Sequence, residues 1–271
     1  MRYLNQTAGV AAAFPRRDSS GAGGRYYSVN VGLAHLVVLD FNVYYNTEPD
    51  AIRTAQLAWL DADLSAVDRS VTPWVLVTAH MPVFCSSITL DGIFSDEDAR
   101  YRVDVMGEDP MAVAARAPYK GCTGTGVDNV EATRKDVEPL FVKYGVDMFL
   151  CGHEHNSEIS YPTRNGVPTA YNYDSPAATV YVVEGAGGAP TLDLFGGAAP
   201  FTRRQDSSWG FGRVTIINAS TLVYERVQND RCRDQCQAAT CPACGVPAGT
   251  VVDTFTVTQP HHGGWAPLEV A

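Results

Sequence analysis

The sequence predicts a mixed α/β domain in which strands and helices alternate first and antiparallel strands follow. Four short, nearly continuous apolar runs carry the first half of that prediction: His35-Leu-Val-Val-Leu-Asp40, Trp74-Val-Leu-Val-Thr-Ala79, Val146-Asp-Met-Phe-Leu-Cys151 and Val180-Tyr-Val-Val-Glu184. Runs of this length and composition are the pattern of strands buried on both faces. Two stretches of helical period lie between them. Alternating segments after residue 210 carry the second half.

Taken in order, residues 1–24 end in Arg16-Arg-Asp-Ser-Ser-Gly-Ala-Gly-Gly24 and read as a loop or entry segment. Tyr26-Tyr-Ser-Val-Asn-Val31 alternates like an exposed strand. Pro49-Asp50 starts a helix in which Leu57, Leu60, Leu64 and Val67 recur at spacings of three and four. From Met81 to Asn129 there is little periodicity, which marks a functional loop or an insertion. A second helix over roughly 130–144 places Val137, Leu140, Phe141 and Tyr144 on one face, with Gly145 as its C-cap. Arg213-Val-Thr-Ile-Ile217 and Thr221-Leu-Val-Tyr-Glu-Arg226 flank Asn218-Ala-Ser220 as a hairpin, and Val251–Val257 extends that sheet. The organisation expected is one domain over 25–258, with a Cys-rich insertion at 230–246 and a flexible tail at 259–271.

With 45% hydrophobic and 18% charged residues the chain is expected to pack a core. A net charge of −10 with no basic patch argues against nucleic acid as a partner. No run of about 18 apolar residues predicts a membrane span. Met1-Arg-Tyr-Leu-Asn-Gln6 lacks the apolar core of a signal peptide, yet seven cysteines and the sequons at Asn5 and Asn218 point outside the cytoplasm. The expectation that reconciles them is a secreted or endomembrane-lumen protein whose targeting segment lies in an upstream portion.

Chemistry concentrates in three of the six histidines. His35 reads as a core or edge histidine, and His261 and His262 as parts of a solvated tail. His80 follows a strand directly, and ligand sites in open α/β sheets lie beyond the carboxyl ends of strands. His153 and His155 share one turn; in extended backbone residues two apart point the same way. Gly152 is expected to let that turn tighten. Two imidazoles on one turn can address one metal ion, or each of two ions ~3.5–4 Å apart.

Val77-Thr-Ala-His80-Met-Pro82 and Gly152-His-Glu-His-Asn156 resemble the two C-terminal metal motifs of the calcineurin-like metallophosphoesterases. The likeness is sharper for the purple acid phosphatase branch, through Gly24–Asp40, Gln56-Leu-Ala-Trp-Leu-Asp61, Tyr181-Val-Val-Glu-Gly-Ala-Gly-Gly188, Gly210-Phe-Gly-Arg-Val-Thr-Ile-Ile217 and Val252-Asp-Thr-Phe255. The resemblance implies a partial four-layer α-β-β-α sandwich. It implies a phosphoester hydrolase, foremost an acid phosphatase, with two ions: Fe3+ paired with Zn2+, Mn2+ or Fe2+. His80 and His153 would bind the divalent ion and His155 the other, and a metal-bound hydroxide would attack the phosphorus of a small phosphoester. Alternatives are a phosphodiesterase of the same fold or a non-catalytic fragment acting as a binding module.

The family's first three motifs, which supply the bridging aspartate and the other N-terminal ligands, are not found, and the resemblance places them upstream of Met1. The ligand set is therefore incomplete, and activity of the chain alone is expected to be low. Sheet faces left uncovered, at Val75–Ala79 and Val146–Leu150, are expected to drive self-association. Cys85 and Cys122 are either two free thiols or a disulfide; closing a loop of about forty residues would contribute ~3–4 kcal/mol in the chain-entropy model. Cys232, Cys236, Cys241 and Cys244 read as two local disulfides with three possible pairings, or as a zinc knuckle of unusual spacing. Cys151, inside a buried run, reads as an inert core thiol.

Overall fold

The computed structural model describes residues 16–18, 24–44, 49–88, 127–188, 193–195, 198–229 and 247–265. Asn5, Cys122 and the four clustered cysteines lie outside them.

The elements run β1 (Arg16–Asp18), β2 (Tyr27–Val31), β3 (Ala34–Val38), a 3-10 turn (Phe41–Tyr44), α1 (Asp50–Ser65), β4 (Trp74–Ala79), β5 (Ser87–Ile88), α2 (Val127–Tyr144) and β6 (Met148–Cys151). Then follow β7 (Ser157–Ser160), β8 (Thr163–Arg164), β9 (Val167–Pro168), β10 (Val180–Glu184), β11 (Leu194–Phe195), β12 (Thr202–Asp206), β13 (Gly210–Asn218), β14 (Thr221–Gln228) and β15 (Thr250–Thr258). Among the described residues one sheet has the order β1-β2-β3-β4-β6-β10-β7-β12. Its centre, β3-β4-β6-β10, is parallel; both flanks are antiparallel. A second sheet, β13-β14-β15, is antiparallel throughout.

The continuous apolar runs are continuous because both faces of the central strands are covered. Val75, Val77 and Ala79 of β4, Phe149 of β6, and Tyr181 and Val183 of β10 meet Leu60 and Leu64 of α1 and Val137 and Phe141 of α2. Trp74 and Leu76, Met148, and Val180 and Val182 meet Leu222, Tyr224, Phe255 and Val257 of the second sheet. The described residues thus form three layers, α-β-β. This corrects the expectation of bare sheet faces: Val75, Val77, Met148 and Phe149 are each at most 1% exposed. One face is covered by α1 and α2 and the other by β14 and β15 of the same chain, so these faces give no basis for self-association. Among the described residues no helix is long and apolar enough to cross a membrane.

Helix α2 ends at Gly145, whose φ of +64° is the left-handed C-cap expected there. A Cβ at Gly145 would lie 1.8 Å from the Gly263 carbonyl oxygen. That contact shows a second departure from expectation. Residues 259–265 do not fray but dock across the molecule. Gln259 Nε2 donates to the Pro176 carbonyl, His262 Nε2 lies 2.7 Å from the Ala219 carbonyl oxygen, and the Trp265 amide donates to the Val142 carbonyl. The His262 ring also packs edge-on against Trp74 at 4.9 Å.

Candidate functional site

Because β4, β6 and β10 are parallel neighbours, their carboxyl ends lie side by side, with Ala79 opposite Cys151 and Cys151 opposite Val183. The residues that follow, His80, Gly152-His153 and Gly185, therefore gather at one edge of the sheet. The Gly152 amide donates to the His80 carbonyl at 3.1 Å and fixes the two turns together. His153 Nδ1 and His80 Nε2 face each other at 3.0 Å, with the rings nearly perpendicular.

The tight turn is made by a different residue from the one expected. His153 itself takes the left-handed conformation, at φ 64°, whereas a Cβ at Gly152 would find only ordinary contacts. The glycine the turn requires is Gly185, where a Cβ would sit 2.0 Å from the Glu154 carbonyl oxygen. His155, on the same turn, is held through its backbone: its amide donates to Asp193 Oδ2 at 2.6 Å, and the Asp193 amide donates back to its carbonyl. Burial, and then the neighbouring His80, push the His153 pKa below the ordinary imidazole value; Asp193 opposes and His155 adds to the shift. The neutral, ligating form is favoured.

A buried polar framework supports the turns. Glu158, 2% exposed, accepts from the Ser86 amide at 2.7 Å, the Ser86 hydroxyl at 2.6 Å and the Thr202 hydroxyl at 2.7 Å. Asn156 Nδ2 donates to Ser87 Oγ at 2.8 Å. Glu184, closing β10, accepts from Ser157 and Tyr224 and pairs with the fully buried Arg226 at 3.1 Å.

Two nitrogens 3.0 Å apart fit neighbouring positions on a tetrahedral ion, whose ligand–ligand edge is about 3.3 Å for bonds of about 2.0–2.1 Å. Among the described residues no group of three or more His, Cys, Asp or Glu comes together as a complete cation site. The fit is thus that of a pair, with His155 beside it. Of the residues sequence reading missed, Glu184 stands before the glycine run and Asn156 follows the His-x-His turn. Asp193 and Glu158 carry no local signal.

A family model described as calcineurin-like phosphoesterase matches residues 3–157, over half of the 271. The chain belongs to that family. Its match begins inside the segment read as an entry loop. A second model, iron/zinc purple acid phosphatase-like protein C, matches residues 178–235 of this phosphoesterase chain. Acid phosphatase A of Cryphonectria parasitica is 27% identical over 75% of the chain and 34% of the relative. Acid phosphatase type 7 of Danio rerio is 25% identical over 89% and 48%. Purple acid phosphatase 15 of Arabidopsis thaliana is 32% identical over 65% and 24%. The chain therefore spans half or less of these relatives. The solved purple acid phosphatase from yellow lupin (Lupinus luteus) seeds matches in fold, with a TM-score of 0.57 and 23% identity, over 86% of this chain and 32% of that one.

Proposed function

We propose that this chain supplies the strand-end histidines of a metal-dependent phosphoester hydrolase of acid phosphatase type. The observation that carries the reading is the His80–His153 pair, 3.0 Å apart beyond adjacent parallel strands, in a chain of this family. In this proposal His80 and His153 hold a divalent ion (Zn2+, Mn2+ or Fe2+), and His155 reaches a ferric one. Such ions supply Lewis acidity and an activated water. The chain's own part is to hold the imidazoles in register and, at His153, to favour the neutral ring. Three imidazoles offer no anionic ligand to offset two cations, so turnover by these 271 residues alone is expected to be at least tenfold below a full-length relative.

The test is hydrolysis of p-nitrophenyl phosphate and its bis-ester by the purified chain with iron, zinc or manganese added. A preference for the monoester that disappears in His80→Ala supports the reading. Preference for the diester would move it to a phosphodiesterase, and turnover within tenfold of a full-length relative would overturn the incomplete site.

An oxidising compartment belongs to the same proposal. Cys85, in the buried stretch after His80, is not among the free thiols, and Asn218 stands exposed at the hairpin turn. We infer a Cys85–Cys122 disulfide and a glycan at Asn218. Mass spectrometry of non-reduced peptides, before and after glycosidase, should find both; free Cys85 and Cys122 would contradict the compartment.

A further inference from the structure

We propose that Glu158 is a positioning residue: with Asn156 it clamps the two histidine turns together, so that the His80–His153 register exists before any metal ion arrives. The proposal deepens the metal-site reading above and rests on it for its purpose, though not for its geometry.

Past the β4–β6 pairing, which ends at Ala79 and Cys151, the described backbone joins the two turns by one bond, from the Gly152 amide to the His80 carbonyl. One hydrogen bond is a hinge rather than a clamp. The second attachment lies beyond the histidines on both chains. After His80, residues Met81–Ser87 are all buried, so this stretch passes its position along as a packed unit. At its end the Ser86 amide and hydroxyl both donate to the Glu158 carboxylate, and the Thr202 hydroxyl of β12 donates to the same oxygen as the Ser86 hydroxyl. Ser87 Oγ accepts from Asn156. Glu158 and Asn156 stand three residues and one residue after His155, at the start of β7. Each histidine turn is therefore tied to the other on both sides of the His80–His153 pair. The bonds from Ser86 to Glu158 and from Asn156 to Ser87 are buried, where hydrogen bonds to a charged group are stronger than neutral ones and an unmet donor is costly. The two serines and Asn156 are themselves fully buried. No catalytic contact is assigned to Glu158; it acts through Ser86.

The experiment uses the 271-residue chain, metal-free, and compares wild type with Glu158→Gln and Ser86→Ala. Hydrogen exchange is read at the Gly152 amide, with the Tyr224 amide in the second sheet as a control for global opening. His80 and His153 ring-nitrogen chemical shifts report the contact itself. The clamp predicts at least tenfold faster exchange at Gly152 and loss of the paired ring shifts in both variants, with Tyr224 unchanged. Unchanged Gly152 exchange and ring shifts in a folded variant would overturn it. So would equal acceleration at Gly152 and Tyr224, which is a merely structural role. Should Glu158→Gln fail to fold, Ser86→Ala decides, because it leaves the carboxylate bonded to the Ser86 amide and Thr202. A zinc titration of the same samples separates the two claims. Wild type that shows the protected register but binds no zinc refutes the metal reading and leaves the clamp. Wild type that binds zinc while both variants bind equally well refutes the clamp, since removing a supporting partner ordinarily weakens affinity 10–100-fold.

Discussion

His153 turns its imidazole toward His80 only by taking a backbone conformation that ordinary residues avoid, with φ at 64°. For a residue with a Cβ this costs about 1–2 kcal/mol, and glycine escapes the cost. His153→Gly should therefore be more stable than His153→Ala by about 1 kcal/mol, although both lose the ring. Urea denaturation of the two variants decides it; equal midpoints would mean the turn is not strained. The same residue shows what a sequence can and cannot reveal. Both His80 and the His-x-His turn were legible, because strand-end position and spacing are local facts. The sequence points to Gly152 as the residue that lets the turn tighten, because it lacks a Cβ; instead the constraint is set by Gly185, which must let the Glu154 carbonyl approach from the turn beside it. Asp193 was invisible for a related reason, since its bond to His155 spans 38 residues.

At the scale of elements, the apolar strands β4 and β10 were legible to the residue, and α1 and α2 nearly so, because burial on one or two faces leaves a period in the sequence. Strands β7 and β12 were missed. Ser157-Glu-Ile-Ser160 is buried throughout, yet mostly by polar residues whose partners come from other strands, and Thr202-Arg-Arg-Gln-Asp206 has no apolar period at all. Beside the apolar interface, one tie between the sheets is of this polar kind. Arg226 of β14 is fully buried against Glu184 of β10. Removing one member of a buried pair leaves an uncompensated charge and typically costs about 3–5 kcal/mol, whereas apolar replacement of both is far milder. Arg226→Met should lose stability of that order, and Glu184→Gln with Arg226→Met should recover much of it. A double variant as unstable as the sum of the singles would show that the pair does not act as a unit.

For the whole molecule, the buried carboxyls set the dependence of stability on pH. Burial raises the pKa of Glu138, Glu158 and Glu184 above the ordinary glutamate value, against hydrogen bonds and nearby arginines that pull the other way. A raised carboxyl binds its proton more tightly in the folded chain. Its stabilising contribution is complete below the ordinary value of 4.5 and is lost as pH rises through the raised one. Asp61, Asp68, Glu131 and Glu225 are shifted downward by exposed partners and act in the opposite sense only at lower pH, screened by water. These carboxyls should lower the melting temperature from about pH 5 toward neutrality, against His153, whose lowered pKa adds stability as pH rises through the ordinary imidazole range. Glu138→Gln, distant from the histidines, should flatten part of that slope; an unchanged slope would remove Glu138 as a cause. The layered plan itself was readable except for one point. The partner of the central sheet's second face comes from β14 and β15, late in the same chain, and no local pattern announces which face a distant hairpin will cover.

The docked segment 259–265 has a mechanical consequence. Gly263 and Gly264 interlock with the turn after α2, and the Trp265 amide is held by Val142. A load applied at the carboxyl end is therefore delivered to the last turn of α2 before it reaches either sheet. A surface tether or fusion partner placed there would tug on the helical layer first, and through His262 on Trp74 at the far end of β4 from His80.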